Sequence, residues 1–160
     1  MEKIKLDKAL EAATALVKLV EKDEYPGDPI SVTISGEHGQ PIVTLMMDGS
    51  MPISVSLSVK KAYTAWVTKM ETIEWEKQKI DPSNIGDSNI TCFGGGVPVF
   101  SGAIGVSGRS SYSKNGKTIE DHELAKATAA AIKELIKGRV LMTPINRIRT
   151  ELDILLDKNR

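Results

Sequence analysis

The chain has 160 residues, enough for one domain with a sizeable core, and its 21 basic and 21 acidic residues cancel. This balance excludes the basic field expected of a protein that binds nucleic acid or an anionic membrane surface, and the single cysteine excludes an internal disulfide framework or a CxxC metal site. No apolar run has the length of a membrane span or the setting of a signal peptide, so we expect a cytoplasmic protein.

The first half of the chain predicts a helix, a hairpin and a second helix. Apolar residues recur at helical spacing in the first helix, and we expect them to face the core: Leu6, Leu10, Ala13, Val17 and Val20. Two alternating segments follow, 30–35 and 42–47, and predict a β-hairpin. The second helix has its predicted buried stripe at Val55, Val59, Ala62, Trp66 and Met70. A further helical piece is predicted over residues 72–79.

A glycine-rich stretch occupies the middle of the chain, between Cys92 and Gly108. We predict strands at about residues 89–93, 97–100 and 102–107, followed by a polar loop over 109–117. Glycines destabilise a strand, so those in the last strand mark a position where a helix, a ligand or another backbone comes close. Both a tightly packed helix and direct contact with a ligand are consistent with this pattern.

Two helices complete the chain. The tetrad 118–121 resembles a capping box with Thr118 as the N-cap, and it predicts a helix that runs to Lys137 and ends at Gly138. Thr143 and Pro144 predict the start of a last helix. Its aliphatic stripe consists of Ile145, Ile148, Leu152 and Leu155. Because the preceding elements already form a complete domain, we expect a second subunit to cover this stripe across a symmetric interface.

The order of elements indicates an α+β fold. Nearly all strand neighbours can be joined by short hairpins, which favours an antiparallel sheet of about five strands flanked by helices. We divide the chain into a domain over residues 1–137 and an amphipathic helical extension over 138–160.

Four motifs in this order resemble the GlcG/HbpS family, which includes the C-terminal domain of PduO-type proteins. They are Met47-Asp48-Gly49-Ser50, Lys61-Ala62-Tyr63-Thr64-Ala65, Gly95-Gly96-Val97-Pro98 and the strand Gly102-Ala103-Ile104-Gly105-Val106-Ser107-Gly108. The resemblance covers about residues 6–137. It implies a profilin-like sandwich, assembly into homo-oligomers and, as in several members, the binding of haem.

Three departures from the family pattern stand out. Met46 occupies the place of a common arginine before Met-Asp-Gly, the hairpin at residues 99–101 is short, and the last helix lies beyond the shared core.

Haem requires an axial ligand such as histidine, and the chain has only His38 and His122. His38 lies in a glycine-rich hairpin turn, where a solvated side chain is expected. His122 stands between Asp121 and Glu123, and a neighbouring carboxylate can orient a ligating imidazole. The same triplet is also how a polar helix start looks. His122 is therefore both the candidate metal ligand and a candidate structural residue.

Four further residues are candidates for ligand binding. Lys61 could hold a carboxylate and Tyr63 could donate a hydrogen bond to a ligand. Alternatively, Lys61 is a solvated helix residue and Tyr63 packs in the core. Gly95 and Gly96 could offer N–H groups to an anion, although the spacing of a nucleotide-binding loop is absent. Cys92 has apolar neighbours and is expected to be buried and inert.

The sequence favours an oligomeric protein that binds a small molecule, with haem or a related tetrapyrrole as the expected ligand. An alternative is an enzyme or accessory factor for a small hydroxy acid or diol, with Asp121, His122 and Glu123 as acid and base groups. A third is a structural module for assembly. No nucleic-acid or membrane partner is expected.

Overall fold

The computed structural model describes residues 2–22, 24–25, 27–109, 119–138 and 142–158. Its helices are α1 (Leu6–Glu21), α2 (Ile53–Thr68), α3 (Thr72–Lys77), α4 (Asp121–Lys137) and α5 (Pro144–Lys158), with a 3-10 turn at Pro82–Asn84. Its strands are β1 (Ser31–Ser35), β2 (Pro41–Met46), β3 (Gly96–Val99) and β4 (Gly102–Ser107). Within these ranges no helix is long and apolar enough to cross a membrane. The predicted polar loop lies outside the described residues from 110 onward.

The strands of the described residues form one antiparallel sheet in the order β2-β1-β4-β3. Helix α2 packs on β1, β3 and β4, whereas α1 packs on β1 and β2 and α4 on β3 and β4. The prediction of an α+β fold with an antiparallel sheet is confirmed, although the sheet has four strands here rather than about five.

The predicted strand at residues 89–93 is wrong, because its backbone bonds to side chains instead of to a neighbouring strand. The N–H of Asn89 donates to the carboxylate of Asp87, which makes a tight turn. The N–H of Thr91 then donates to Oγ1 of Thr64 on α2. As a result Cys92 is only half-buried and lies outside the sheet.

The two faces of the sheet differ in chemistry. On β1, Val32 and Ile34 belong to the aliphatic core that α1 and α4 complete. Thr33, between them in sequence, projects toward α2 and hydrogen-bonds Ser58 at 2.8 Å. Ser31 does the same with Ser54 at 2.7 Å. The α2 side of the sheet is therefore a layer of hydroxyls and small residues.

This polar layer explains why the stripe predicted for α2 is wrong at every position except Ala62, which is buried as predicted. Its fully buried residues are small or polar, and they are Ser54, Ser58, Lys61, Ala62, Thr64 and Ala65. Val55, Val59 and Trp66 are only half-buried, and Met70 is exposed. The stripe of α1 is shifted too: Ala13 and Val20 are buried as predicted, but Leu6 is 58% exposed and Leu10 44%. Alanines and leucines of the adjacent face form the buried side instead.

The ends of α4 follow the sequence signals in part. Its N-cap is Glu120 rather than Thr118, which lies outside the described residues. Glu120 and Glu123 form a reciprocal capping box in which the side chain of each accepts from the backbone N–H of the other. Gly138 adopts the left-handed conformation at the C-terminal end, as predicted.

Helix α5 begins at Pro144 as predicted, but its stripe is covered by its own chain. Ile148 and Leu152 are fully buried and belong to the same core as α1 and α4. Beside them, the hydroxyl of Tyr25 donates to the carboxylate of Asp153 at 2.8 Å. The expectation that a second subunit covers this stripe is therefore wrong for Ile148 and Leu152, which the gap between α1 and α4 already buries, whereas Ile145 and Leu155 are half-buried.

Candidate functional site

A cavity of about 380 Å³ opens between α2, the N-terminal end of α4 and the loop before β3. Its apolar walls consist of Met51, Ile53, Leu57, Ile73 and Phe93. Its polar walls include Lys61, Glu76, Glu120, Asp121 and His122. At the mouth, Met51, Ile53 and Phe93 are each more than half exposed. The cavity thus combines an apolar entrance with charged and titratable groups, of which Lys61 and Asp121 are buried and His122 half-buried.

A buried ion pair forms part of the cavity wall. Nζ of Lys61 lies 2.9 Å from Oδ2 of Asp121 and donates at the same distance to the carbonyl of Val106. The other carboxylate oxygen of Asp121 accepts from the N–H of Arg109 at 2.9 Å. The Lys61 side chain is 4% exposed and that of Asp121 11%. Three structural elements, α2, β4 and α4, are therefore connected through one lysine.

The electrostatics of the pair reflect its burial. Burial raises the pKa of Asp121 above its ordinary value, while Lys61 and the N–H groups of Arg109 and Gly108 act in the opposite direction. Two opposite charges taken out of water need this complete set of hydrogen bonds to be stable. Asp121 therefore holds the side chain of Lys61 in place, and the pair orders one wall of the cavity.

His122 follows Asp121 directly and lies at the other side of the helix start. Its Nε2 is 3.6 Å from Oε2 of Glu71, whose second oxygen is 3.6 Å from Nζ of Lys126. Its Nδ1 is buried and has no hydrogen-bond partner among the described residues. Burial lowers the pKa of His122, with Glu71 and Glu123 opposing. The lowered pKa favours the neutral imidazole, which is the form that binds metals.

The glycines at the start of β3 allow Lys61 of α2 and the backbone of β4 to pack closely against this segment. A Cβ on Gly95 would lie 2.5 Å from the carbonyl of Val106 and 3.1 Å from Nζ of Lys61, and its φ is +122°. The N–H of Gly96 donates to Thr72 at 2.8 Å, and that of Gly94 donates to Glu76 at 2.9 Å. Gly95 thus leaves room for Nζ of Lys61 and Gly96 for the backbone carbonyl of Lys61, and the N–H of Gly96 already has a protein partner.

The remaining candidates lie apart from one another. Tyr63 is absent from the cavity wall and donates from its hydroxyl to Asp87 at 2.9 Å. His38 is exposed in the hairpin turn, as expected. Of the proposed acid and base groups, Asp121 bonds to Lys61 and Glu123 caps its own helix, so neither carboxylate is shared with His122. Within the described ranges no cluster of histidine, cysteine and acidic side chains could hold a metal ion by itself.

Several cavity residues were missed by the sequence reasoning. Met51 and Ile53 come directly after the Met-Asp-Gly-Ser motif, and Phe93 directly before the three glycines. The sequence signal for these three residues is that large apolar side chains stand at the ends of recognised motifs. Glu71 and His122 come from distant parts of the chain, so their proximity has no sequence signal.

The sequence of the chain matches a known protein family over most of its length. A family model described as "Haem degrading protein HbpS-like" matches residues 4–130. Among curated protein sequences, none matches the chain.

Solved structures resemble the chain over most of its length. A double mutant of HbpS from Streptomyces reticuli is 30% identical, with a TM-score of 0.64 over 81% of this chain and 87% of that one. A PduOC–haem complex is 25% identical, with a TM-score of 0.64 over 81% of this chain and 94% of that one. The protein ORFY of Klebsiella pneumoniae is 24% identical, with a TM-score of 0.68 over 83% and 92%, and shows the shared fold.

Proposed function

The chain belongs to the HbpS-like family, and we propose that it is a homo-oligomeric protein that binds haem or a related tetrapyrrole in the cavity between α2 and α4. The observation that carries the proposal is the combination, in one cavity, of an apolar mouth with a half-buried histidine whose Nδ1 is buried and has no hydrogen-bond partner among the described residues. A haem complex of a structural neighbour that is 25% identical supports the same ligand class.

The cavity fits the two chemical parts of such a ligand. A macrocycle is flat and apolar, and Met51, Ile53 and Phe93 present apolar surface that is otherwise left in water. A histidine ligates iron through its neutral imidazole, and burial favours that form of His122 by lowering its pKa. Glu71, close to Nε2, would orient the ring. When bound, haem supplies an iron centre that takes axial ligands and changes redox state.

Lys61 has a positioning role in this proposal. Nζ of Lys61 donates to Asp121 and to the carbonyl of Val106, so the lysine holds one wall of the cavity in place rather than offering a free charge to the ligand. Self-association is proposed because large aliphatic side chains that do not line the cavity remain exposed on α1, among them Leu6 and Leu10.

The test is a titration of the purified full chain with haemin, followed by the Soret band. We expect a shifted, sharpened band that saturates at one equivalent per chain. His122→Ala should lose the spectrum of the ligated iron, and His38→Ala should keep it, because the His38 side chain is 80% exposed in a distant turn.

A second pair of variants tests the apolar mouth. Ile53→Glu should weaken binding of both haemin and metal-free protoporphyrin, while Val67→Glu on the same helix should not. Both side chains are exposed, so neither change should unfold the chain, and only Ile53 lines the cavity. A featureless haemin titration, or equal binding by wild type, His122→Ala and Ile53→Glu, would contradict the proposal.

A further inference from the structure

Helix α1 presents an apolar face to solvent. Leu6 and Leu10 are large aliphatic residues that remain about half exposed, although the opposite side of the helix lies in the core. A groove of about 490 Å³ runs beside Leu10, between α1 and Ile145 at the start of α5. Exposed aliphatic side chains next to a groove mark a surface that another molecule covers.

The charges on this face are separated along the helix. Asp7 and Glu11 stand in the N-terminal half, and Lys18 and Lys22 in the C-terminal half, and all four are exposed. Lys8 lies 3.9 Å from Glu11 and 4.0 Å from Asp7, at the limit of an ion pair. Lys18 and Lys22 form no ion pair with any residue that the structure describes.

The acidic and basic residues are placed symmetrically about one point, midway between Thr14 and Ala15. Glu11 precedes this point by as many positions as Lys18 follows it, and the same holds for Asp7 and Lys22. Since a helix rises by a constant amount per residue, an antiparallel copy of α1 would place each acidic residue level with a lysine.

We propose that two copies of this chain associate through an antiparallel contact of their α1 helices about a two-fold axis near Thr14. This interface rests on the self-association proposed above and specifies its surface. Because a two-fold contact is made twice, Glu11 meets Lys18 of the second copy, and Lys18 meets Glu11 of that copy. Asp7 and Lys22 pair in the same way at the ends of the contact.

In the same arrangement the exposed and half-buried apolar residues of the two copies come near one another, although they are not level as the charged residues are. Leu10 and Val17 are one heptad apart and therefore lie on one stripe. In the antiparallel pair, Leu10 lies within one helical turn of the level of Val17 of the second copy, and Leu6 extends the contact. Glu21 is level with Lys8 of the second copy, so no like charges face each other. The charge pattern is complementary to itself along the full length of the helix.

The test is a charge exchange in the full chain, read by sedimentation velocity over a dilution series. Glu11→Lys and Lys18→Glu each place like charges opposite one another twice per dimer, so each should raise the dissociation constant about tenfold or more. The double variant Glu11→Lys/Lys18→Glu recreates opposite charges with exchanged signs and should return close to the wild-type constant. Lys133→Glu, at an exposed position of α4, is the matched control and should have no effect.

The outcomes separate this interface from the general proposal of self-association. If the wild-type chain is monomeric at every concentration, both proposals are overturned. If it self-associates but the single variants leave the dissociation constant unchanged, or the double variant is no better than the singles, only the α1 contact is overturned. Haemin binding, measured on the same samples, is independent of these results, because no exchanged residue lines the haem cavity.

Discussion

Replacing Gly105 by alanine should destabilise the protein strongly, because this glycine is where α2 touches the sheet. Gly105 lies in the middle of β4 and pairs with Thr33 of β1 on one side and with Gly96 of β3 on the other. A Cβ built on it would collide with the carbonyl oxygen of Ser58 and lie 2.6 Å from the amide nitrogen of Ala62.

The magnitude follows from which atoms would have to move. Both obstructing groups are backbone atoms of α2, so no rotamer change relieves the collision, and the helix must move away by most of an ångström. Overpacking of a tight interior costs about 1–3 kcal/mol, and a collision with rigid backbone belongs at the upper end of that range. In a chain of this length, about 3 kcal/mol corresponds to a fall of roughly 6–12 °C in Tm.

The assay is thermal unfolding followed by circular dichroism, with urea unfolding as a second measure. Gly36→Ala is the matched control, because its Cβ would meet only side-chain atoms of Gln40 and Ile42, at 3.1 Å or more. Because these side chains can give way, we expect the control to cost at most about 1 kcal/mol. If Gly105→Ala unfolds at the same temperature as Gly36→Ala, α2 does not approach β4 as closely as described.

Two further changes test the buried ion pair and the last helix. Lys61→Met should lower the free energy of unfolding at neutral pH by about 3–5 kcal/mol, because it leaves the Asp121 carboxylate buried without its cation. Burial raises the pKa of Asp121, so the folded variant binds a proton more tightly than the unfolded chain does. The loss of stability should therefore shrink as pH falls. An equal loss at about pH 4 and pH 7 would contradict this reasoning. Leu152→Ala should cost about 2–5 kcal/mol at any protein concentration, whereas Ile154→Ala, at a position 42% exposed, should be nearly neutral. A loss that vanishes at high protein concentration would mean that Leu152 is buried by a second subunit after all.

Sequence reasoning was reliable where one pattern decides the structure. The hairpin of β1 and β2, the start of α5 at Pro144 and the left-handed Gly138 all follow from local signals. For the glycine-rich strand the sequence left two alternatives, a tightly packed helix or direct contact with a ligand. The close approach of α2 to Gly105 is the first of them.

It failed where a helix buries its less apolar side. Helical periodicity assigns the aliphatic side of α2 to the core, but the hydroxyls of Thr33 and Ser31 on the facing strand bond to Ser58 and Ser54 instead. Only the pairing of the two elements reveals that the interface is polar. For the same reason the ion pair of Lys61 with Asp121 could not be predicted, because sixty positions separate its partners.

The close packing and the candidate site are consequences of the same glycines. A side chain at Gly105 would hold α2 away from β4, and one at Gly95 would crowd the carbonyl of Val106, Asp121 and Nζ of Lys61. Either change would disturb the reach of Lys61 to the carbonyl of Val106 and the carboxylate of Asp121. Asp121 is the first residue of α4, so the pair also fixes where that helix begins and hence where His122 lies. The cavity between α2 and α4 therefore depends on side chains that are absent from the strand as much as on those that line it. The glycine-rich strand therefore shapes the cavity mainly through close packing, and within β4 only Ser107, at its end, lines the cavity wall.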